Sequence, residues 1–166
     1  MRTLTPHLAG TALALVLLLP AGRASAADHC ETCSCSVTAT QISFGEYNPL
    51  SSTAKDSTGT LTVRCSHNAA FDPQLDIVIG LGAGGSGDVD RRQLQAGPHR
   101  LDYNLYKDNG RTTLWDDVGG GGGIGFKVKG ADWTDGLAVT VYARMPARQA
   151  ATPGSYTDMV IVTVAY

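Results

Sequence analysis

The sequence predicts an all-β fold, a sandwich or a barrel, on three observations. Short stretches of alternating apolar and polar residues recur along the chain, separated by Gly, Asn, Asp and Pro. Asp outnumbers Glu by 13 to 2, and Lys occurs only 4 times, so turn formers are plentiful and the usual fillers of exposed helix faces are scarce. Beyond residue 26 no window carries the i, i+3, i+4, i+7 apolar stripe of an amphipathic helix.

Residues 1–26 read as a cleaved secretory signal and stand outside the fold. Arg2 is a positive n-region, residues 8–19 are apolar or small, and Ala24-Ser25-Ala26 meets the small-x-small cleavage rule. The apolar run is too short to span a bilayer, so no membrane span is expected in the mature chain. Cleavage leaves 140 of the 166 residues, and loss of Arg2 and Arg23 moves the net charge from −2 to −4. That balance argues against nucleic acid or an anionic membrane surface as partner.

Residues 27–34 form a short polar segment without apolar alternation. A first strand is expected over residues 35–44, with Val37, Ala39 and Ile42 apolar and a slip in phase near Gln41 that marks a bulge. A Gly, Asn-Pro and Ser-rich loop covers 45–58. The second strand, 59–65, puts Leu61, Val63 and Cys65 on one face; the third, 74–81, alternates Leu75, Ile77 and Ile79. A Gly-rich turn at 82–87 and a short strand at 91–94 follow. Then comes a strand over 101–107, with Leu101, Tyr103 and Leu105 opposite Asp102 and Asn104. Asp108-Asn109-Gly110 is a turn, and the glycine run 119–123 reads as a mobile loop. Phe126 and Val128 suggest a short strand, and Leu137, Val139, Val141 and Ala143 a long one. The last strand, 156–166, carries Val160, Val162, Val164 and Tyr166 on one face. It is the most hydrophobic of all, and an apolar edge of this kind has to be covered by an earlier strand or by another chain.

The cysteines are Cys30, Cys33, Cys35 and Cys65, an even number that in an exported chain favours disulfides and allows three pairings. Cys35 opens the first strand and Cys65 closes the second, so a bridge between neighbouring strand ends is expected, leaving Cys30 and Cys33 to each other. Cys30–Cys65 and Cys33–Cys65 are the rivals. A metal site at His29, Cys30, Cys33 and Cys35 lacks a second ligand cluster downstream. Gly80-Leu81-Gly82-Ala83-Gly84-Gly85 matches G-x-G-x-x-G, but no helix follows to hold a pyrophosphate, so a flexible turn is the expectation. Gly84-Gly85-Ser86-Gly87-Asp88 misses the nucleophile elbow, and none of His29, His67 and His99 sits in a catalytic motif. Asp88-Val89-Asp90 and Asp116-Asp117 miss the EF-hand spacing. Trp115 and Trp133 are expected as core or loop anchors, with a glycan contact as the rival role. No catalytic, cofactor-binding or metal-binding residue is therefore assigned.

Several segments, in order, resemble one family. Cys35-Ser36-Val37 with Phe44-Gly45-Glu46-Tyr47-Asn48-Pro49-Leu50, the 101–108 segment Leu-Asp-Tyr-Asn-Leu-Tyr-Lys-Asp with Leu114-Trp115, and Pro153-Gly154-Ser155-Tyr156-Thr157-Asp158 with Val162-Thr163-Val164 and Tyr166 are similar to the spore coat protein U domain family. That family includes subunits of archaic chaperone–usher pili. Cys65 stands where the family's second cysteine is expected. The resemblance covers 35–166 and implies an incomplete immunoglobulin-like β-sandwich lacking its last strand, completed by a donor strand from a partner.

It also implies a non-enzymatic, exported structural or adhesive subunit of a surface pilus or spore-coat-like layer, without cofactor. The chain would pass through the periplasm to the cell surface. Its partners would be a periplasmic chaperone, an outer-membrane usher and other subunits, with Val160, Val162, Val164 and Tyr166 lining the groove that takes the added strand. Residues 27–34 lack a donor's apolar alternation, so the chain is expected to accept a strand and not to supply one from there. The alternative is a self-contained secreted domain that binds carbohydrate or a surface.

Overall fold

The computed structural model describes residues 33–68 and 74–166. The expected signal, most of the segment 27–34 and Cys30 with its expected pairing to Cys33 lie outside the described residues. Among the described residues eight strands run in the order β1 (Ser34–Ala39), β2 (Lys55–Ser66), β3 (Leu75–Leu81), β4 (Arg92–Ala96), β5 (His99–Tyr106), β6 (Ile124–Val128), β7 (Leu137–Met145) and β8 (Val162–Ala165). A single-turn helix, α1 (Asp132–Asp135), precedes β7. The strands form two antiparallel sheets, β1-β2-β7-β5-β4 and β6-β3-β8, as the all-β reading expects.

The sheets meet over one core. Leu61, Val63, Leu101, Leu105, Val139, Val141 and Ala143 come from the larger sheet; Leu75, Ile77, Ile79, Leu81 and Val128 come from the smaller. These are the alternating positions of each strand, because successive side chains of a strand point to opposite faces. Trp115 lies at the centre, fully buried, its Nε1 donating to Ile79 O at 2.9 Å. That burial removes it as a glycan contact.

Strand boundaries depart from the sequence pattern where polar groups decide the pairing. β2 begins at Lys55, inside the expected loop, because Asp56 takes two hydrogen bonds from Arg144 of β7, at 2.7 and 2.9 Å. The same bonds hold the Asp56 carboxyl below its ordinary pKa. β1 ends at Ala39, five residues early. Thr40 N still donates to Thr60 O at 2.9 Å, but Thr60 N donates to the Thr40 hydroxyl, at 2.7 Å, and not to its carbonyl. The chain leaves the sheet at this substitution, one residue before the phase slip seen near Gln41.

Asn104 is a second departure. It alternates outward in the sequence pattern yet is buried, because its amide completes the shell of a buried arginine: Arg92 Nη1 donates to Asn104 Oδ1 at 2.7 Å. The glycine run, expected as a mobile loop, folds back over Asp116 and Asp117. Gly121 N donates to Val118 O, Gly122 N to Asp117 O and Lys107 Nζ to Gly123 O.

That loop packs directly on β3. A Cβ at Gly80 would lie 2.9 Å from Asp117 C and closer still to Val118 N, both backbone atoms that cannot swing away. Gly80→Ala is therefore expected to destabilise the protein by about 1–3 kcal/mol, the usual cost of overpacking. Urea denaturation beside Gly125→Ala checks this, since the nearest atom to a Cβ at Gly125 is 4.0 Å away.

Candidate functional site: a cleft between two open strand edges

A cleft of about 330 Å³ opens between the sheets. One wall is the chain just after β1, with Ile42 and Phe44. The other is the chain leading into β8, with Tyr156, Asp158 and Val160, and then Val162 of β8 itself. Leu61, Leu81, Leu94, Leu105 and Val141 form its apolar floor. It continues into a wider groove of about 920 Å³ between residues 41–47 and 151–157, floored by Leu94, Leu101 and Met145.

The first wall depends on Gly59. Ile42 leans across it so closely that a Cβ there would be 2.6 Å from Ile42 Cγ1. Phe44 then meets the Tyr103 ring edge-on, with centroids 5.9 Å apart.

The second wall is held by Asp158. Its Oδ1 accepts from Gly85 N and Met159 N, both at 2.8 Å, and its Oδ2 accepts from the Tyr103 hydroxyl at 2.7 Å. Burial, with the Asp158 carboxylate, pushes the Tyr103 pKa up, so the phenol stays a donor. The glycine-rich turn that mimics a phosphate loop thus cradles a carboxylate from its own chain. Thr157 adds two reciprocal main-chain bonds to Gln95 of β4, at 2.8 and 3.1 Å. The segment 156–161 is thereby tied first to the larger sheet and only then enters the smaller one. This crossing is why β8 has four residues where the sequence pattern reads eleven.

Strand phase shows where the unpaired backbone lies. In antiparallel sheets, alternate residues direct their N–H and C=O to opposite neighbours. Gly82 N donates to Ile161 O at 2.9 Å, and β8 pairs with β3 as Leu81↔Val162, Gly80↔Thr163, Ile79↔Val164 and Val78↔Ala165. Ile161, Thr163 and Ala165 therefore bond towards β3, and Val160, Val162 and Val164 present their main chain to the free edge. By the same rule, Thr40 bonds towards β2, so Cys35, Val37 and Ala39 present theirs to the free edge of β1. The two open edges approach at one end, where Cys35 N reaches the Tyr166 hydroxyl at 3.4 Å.

Of the groove residues named from sequence, Val160 and Val162 line the cleft. Val164 is half-buried against the core beyond it, and Tyr166 is 57% exposed at its closed end. Sequence reasoning missed Ile42, Phe44, Tyr103 and Asp158. The phase slip at Gln41 was the available signal for the first two. Cys35 and Cys65 face each other across β1 and β2 and form a disulfide.

Elsewhere the chemistry is sparse. His67 packs edge-on against Trp133 at 4.5 Å, and His99 is exposed in the β4–β5 hairpin. Asp90 N bonds the Asp88 side chain within a turn. Among the described residues no group of three or more His, Cys, Asp or Glu is placed to share a cation. Among them, too, no helix is long and apolar enough to cross a membrane.

Comparisons with known proteins agree with this architecture. The chain is 29% identical over 136 residues to Protein U of Myxococcus xanthus, covering 75% of this chain and 71% of that one. Its fold is similar to a chain in the crystal structure of the CsuC–CsuE chaperone–tip adhesion subunit pre-assembly complex from archaic chaperone–usher Csu pili of Acinetobacter baumannii. The TM-score is 0.52 at 16% identity, over 81% of this chain and 40% of that one. A match to the Spore Coat Protein U domain extends over residues 24–163, through every strand to the middle of β8, and by that match the chain belongs to the Spore Coat Protein U domain family.

Proposed function

We propose that this protein is an exported, non-enzymatic subunit of a chaperone–usher surface fibre or coat layer. In this reading a β-strand from a partner completes its sandwich. The observation that carries the reading is the apolar cleft bounded by two open edges, β1 and β8, whose inward side chains and free main chain come from the same residues. An added strand supplies what this geometry lacks: main-chain partners for the edge and alternate side chains for the cleft. A periplasmic chaperone fills the gap during export, and a strand from a neighbouring subunit replaces it at an outer-membrane usher. The likeness to a chain of a chaperone–subunit complex and the family membership support these partners. The residues 35–166 act as the accepting domain, behind a cleaved signal over 1–26.

Val162→Asp tests the reading. It places a carboxylate among Leu81, Leu105 and Val141, where a charge without a partner is costly. Chaperone co-purification and surface assembly are expected to be lost, while Lys127→Ser, on the exposed face of β6 at the far edge of the smaller sheet, retains chaperone binding. Normal assembly of the Val162→Asp protein sinks the proposal.

A further inference from the structure

The run 159–165 carries apolar residues on both faces, with Thr163 the one polar side chain. Its inward set is Val160, Val162 and Val164. Its outward set begins with Met159 and Ile161, which are 85% and 72% exposed, and continues through Thr163 to Ala165. Ala165 pairs with Val78 of β3, itself 38% exposed. Among the described residues the one ion pair on this outer face, Lys127–Asp76 at 2.7 Å, lies on β6 and β3, beyond the end of β8. A solvated outer face would alternate polar residues along an edge strand, and charges there would keep the edge from pairing. Along Met159, Ile161, Thr163 and Ala165 the first device is reduced to the single Thr163 hydroxyl, and no charged residue supplies the second.

A strand added to that edge puts its inward side chains into the cleft. The same pairing necessarily sets its outward side chains beside Met159 and Ile161, at the cross-strand spacing of about 4.5–5.5 Å. We propose, resting on the strand-addition reading above, that the complementing strand is apolar on both faces where it passes Met159 and Ile161. Its outward side chains are then specificity determinants, and the outer face of residues 159–161, leading into β8, is part of the same interface as the cleft. A strand with apolar inward residues but charged or small polar outward ones leaves Met159 and Ile161 wet and binds less well.

The test uses two lysine-flanked synthetic strands of about nine residues, ~30 Å extended. Both carry Val at alternate positions; the remaining positions are Ile in one and Ser in the other. Each is titrated against the disulfide-intact exported protein and against its Met159→Ser/Ile161→Ser variant. The Ile strand is expected to bind the native protein about tenfold more tightly, the scale of two apolar cross-strand pairs with their burial. The ratio should fall to within about twofold in the variant, as expected once both pair contributions are gone. Equal binding of both strands to the native protein overturns the outward-face proposal and leaves the cleft reading standing. Equal binding accompanied by self-association that the double substitution abolishes assigns the patch to a second copy and also overturns it. Failure of both strands to bind removes the strand-addition reading, and this proposal with it.

Discussion

Replacing Arg92 by Met is expected to cost more than about 4 kcal/mol, enough to threaten a fold whose total stability is of order 5–15 kcal/mol. Arg92 has no exposed surface. Its guanidinium donates to five acceptors: Gly82 O at 2.8 Å, Val89 O at 3.2 Å, and Asn104 Oδ1, Leu81 O and Trp115 O at 2.7 Å each. No carboxylate is among them. Burial lowers its pKa, while Tyr103, Asp116, Asp158 and Asp90 draw it back up. A guanidinium keeps its proton under such conditions and so remains a donor to all five. It ties the end of β3, the glycine-rich turn, β5 and the Trp115 segment into one end of the sandwich. Met fills the volume but takes the donor from four carbonyls and one bond from the Asn104 amide, whose Oδ1 keeps Leu105 N at 3.0 Å, and each buried unsatisfied acceptor costs about 1–3 kcal/mol. Arg92→Lys should recover only part of this, because an ammonium lacks the planar fork. Guanidinium denaturation of the disulfide-intact proteins measures the loss. A deficit below about 1 kcal/mol would show that water takes over the guanidinium's role.

Removing the Cys35–Cys65 bridge by paired substitution to Ser is expected to cost about 2–5 kcal/mol, the range for a native disulfide in a small exported domain. The separation of 30 residues sets a substantial loop-closure contribution. Location adds to it. Among the described residues β1 is an edge strand paired with β2 alone, and its residues are exposed or half-buried, so little burial holds it. The bridge pins β1 where it forms one edge of the gap. The doubly substituted protein should therefore show early proteolysis between β1 and β2 as well as a lower denaturation midpoint. Native resistance before residue 44, with an unchanged midpoint, would mean that Val37 and Ile42 hold the wall without the bridge.

Fold class, the inward face of each long strand and the family are all legible in the amino-acid pattern. Period-2 alternation in Leu75, Ile77 and Ile79, or in Val139, Val141 and Ala143, is a local property that any pairing must respect, since a one-residue slip would expose the whole set. The Cys35–Cys65 bridge was legible for the same reason, as both cysteines sit at the ends of strands that alternation identifies.

Which polar residues go inside, and where strands stop, depends on contacts between segments distant in the chain. Arg91-Arg92-Gln93 has no local mark that sends Arg92 into the core. That follows from unpaired carbonyls of Leu81, Gly82 and Trp115, which distant segments bring to one point. Asn104 is buried because its amide finds Arg92 and the Asp90 carbonyl there. β2 reaches back to Lys55 because Arg144, 88 residues beyond Asp56, lies opposite it. β8 loses its expected first half because Thr157 finds Gln95 and Asp158 finds Gly85 and Tyr103, across separations of 55 residues or more for the carboxylate. Apolar alternation is a one-dimensional pattern and reports a face. Buried hydrogen bonds must be satisfied in three dimensions, and that requirement selects the edge, the strand ends and the walls of the cleft.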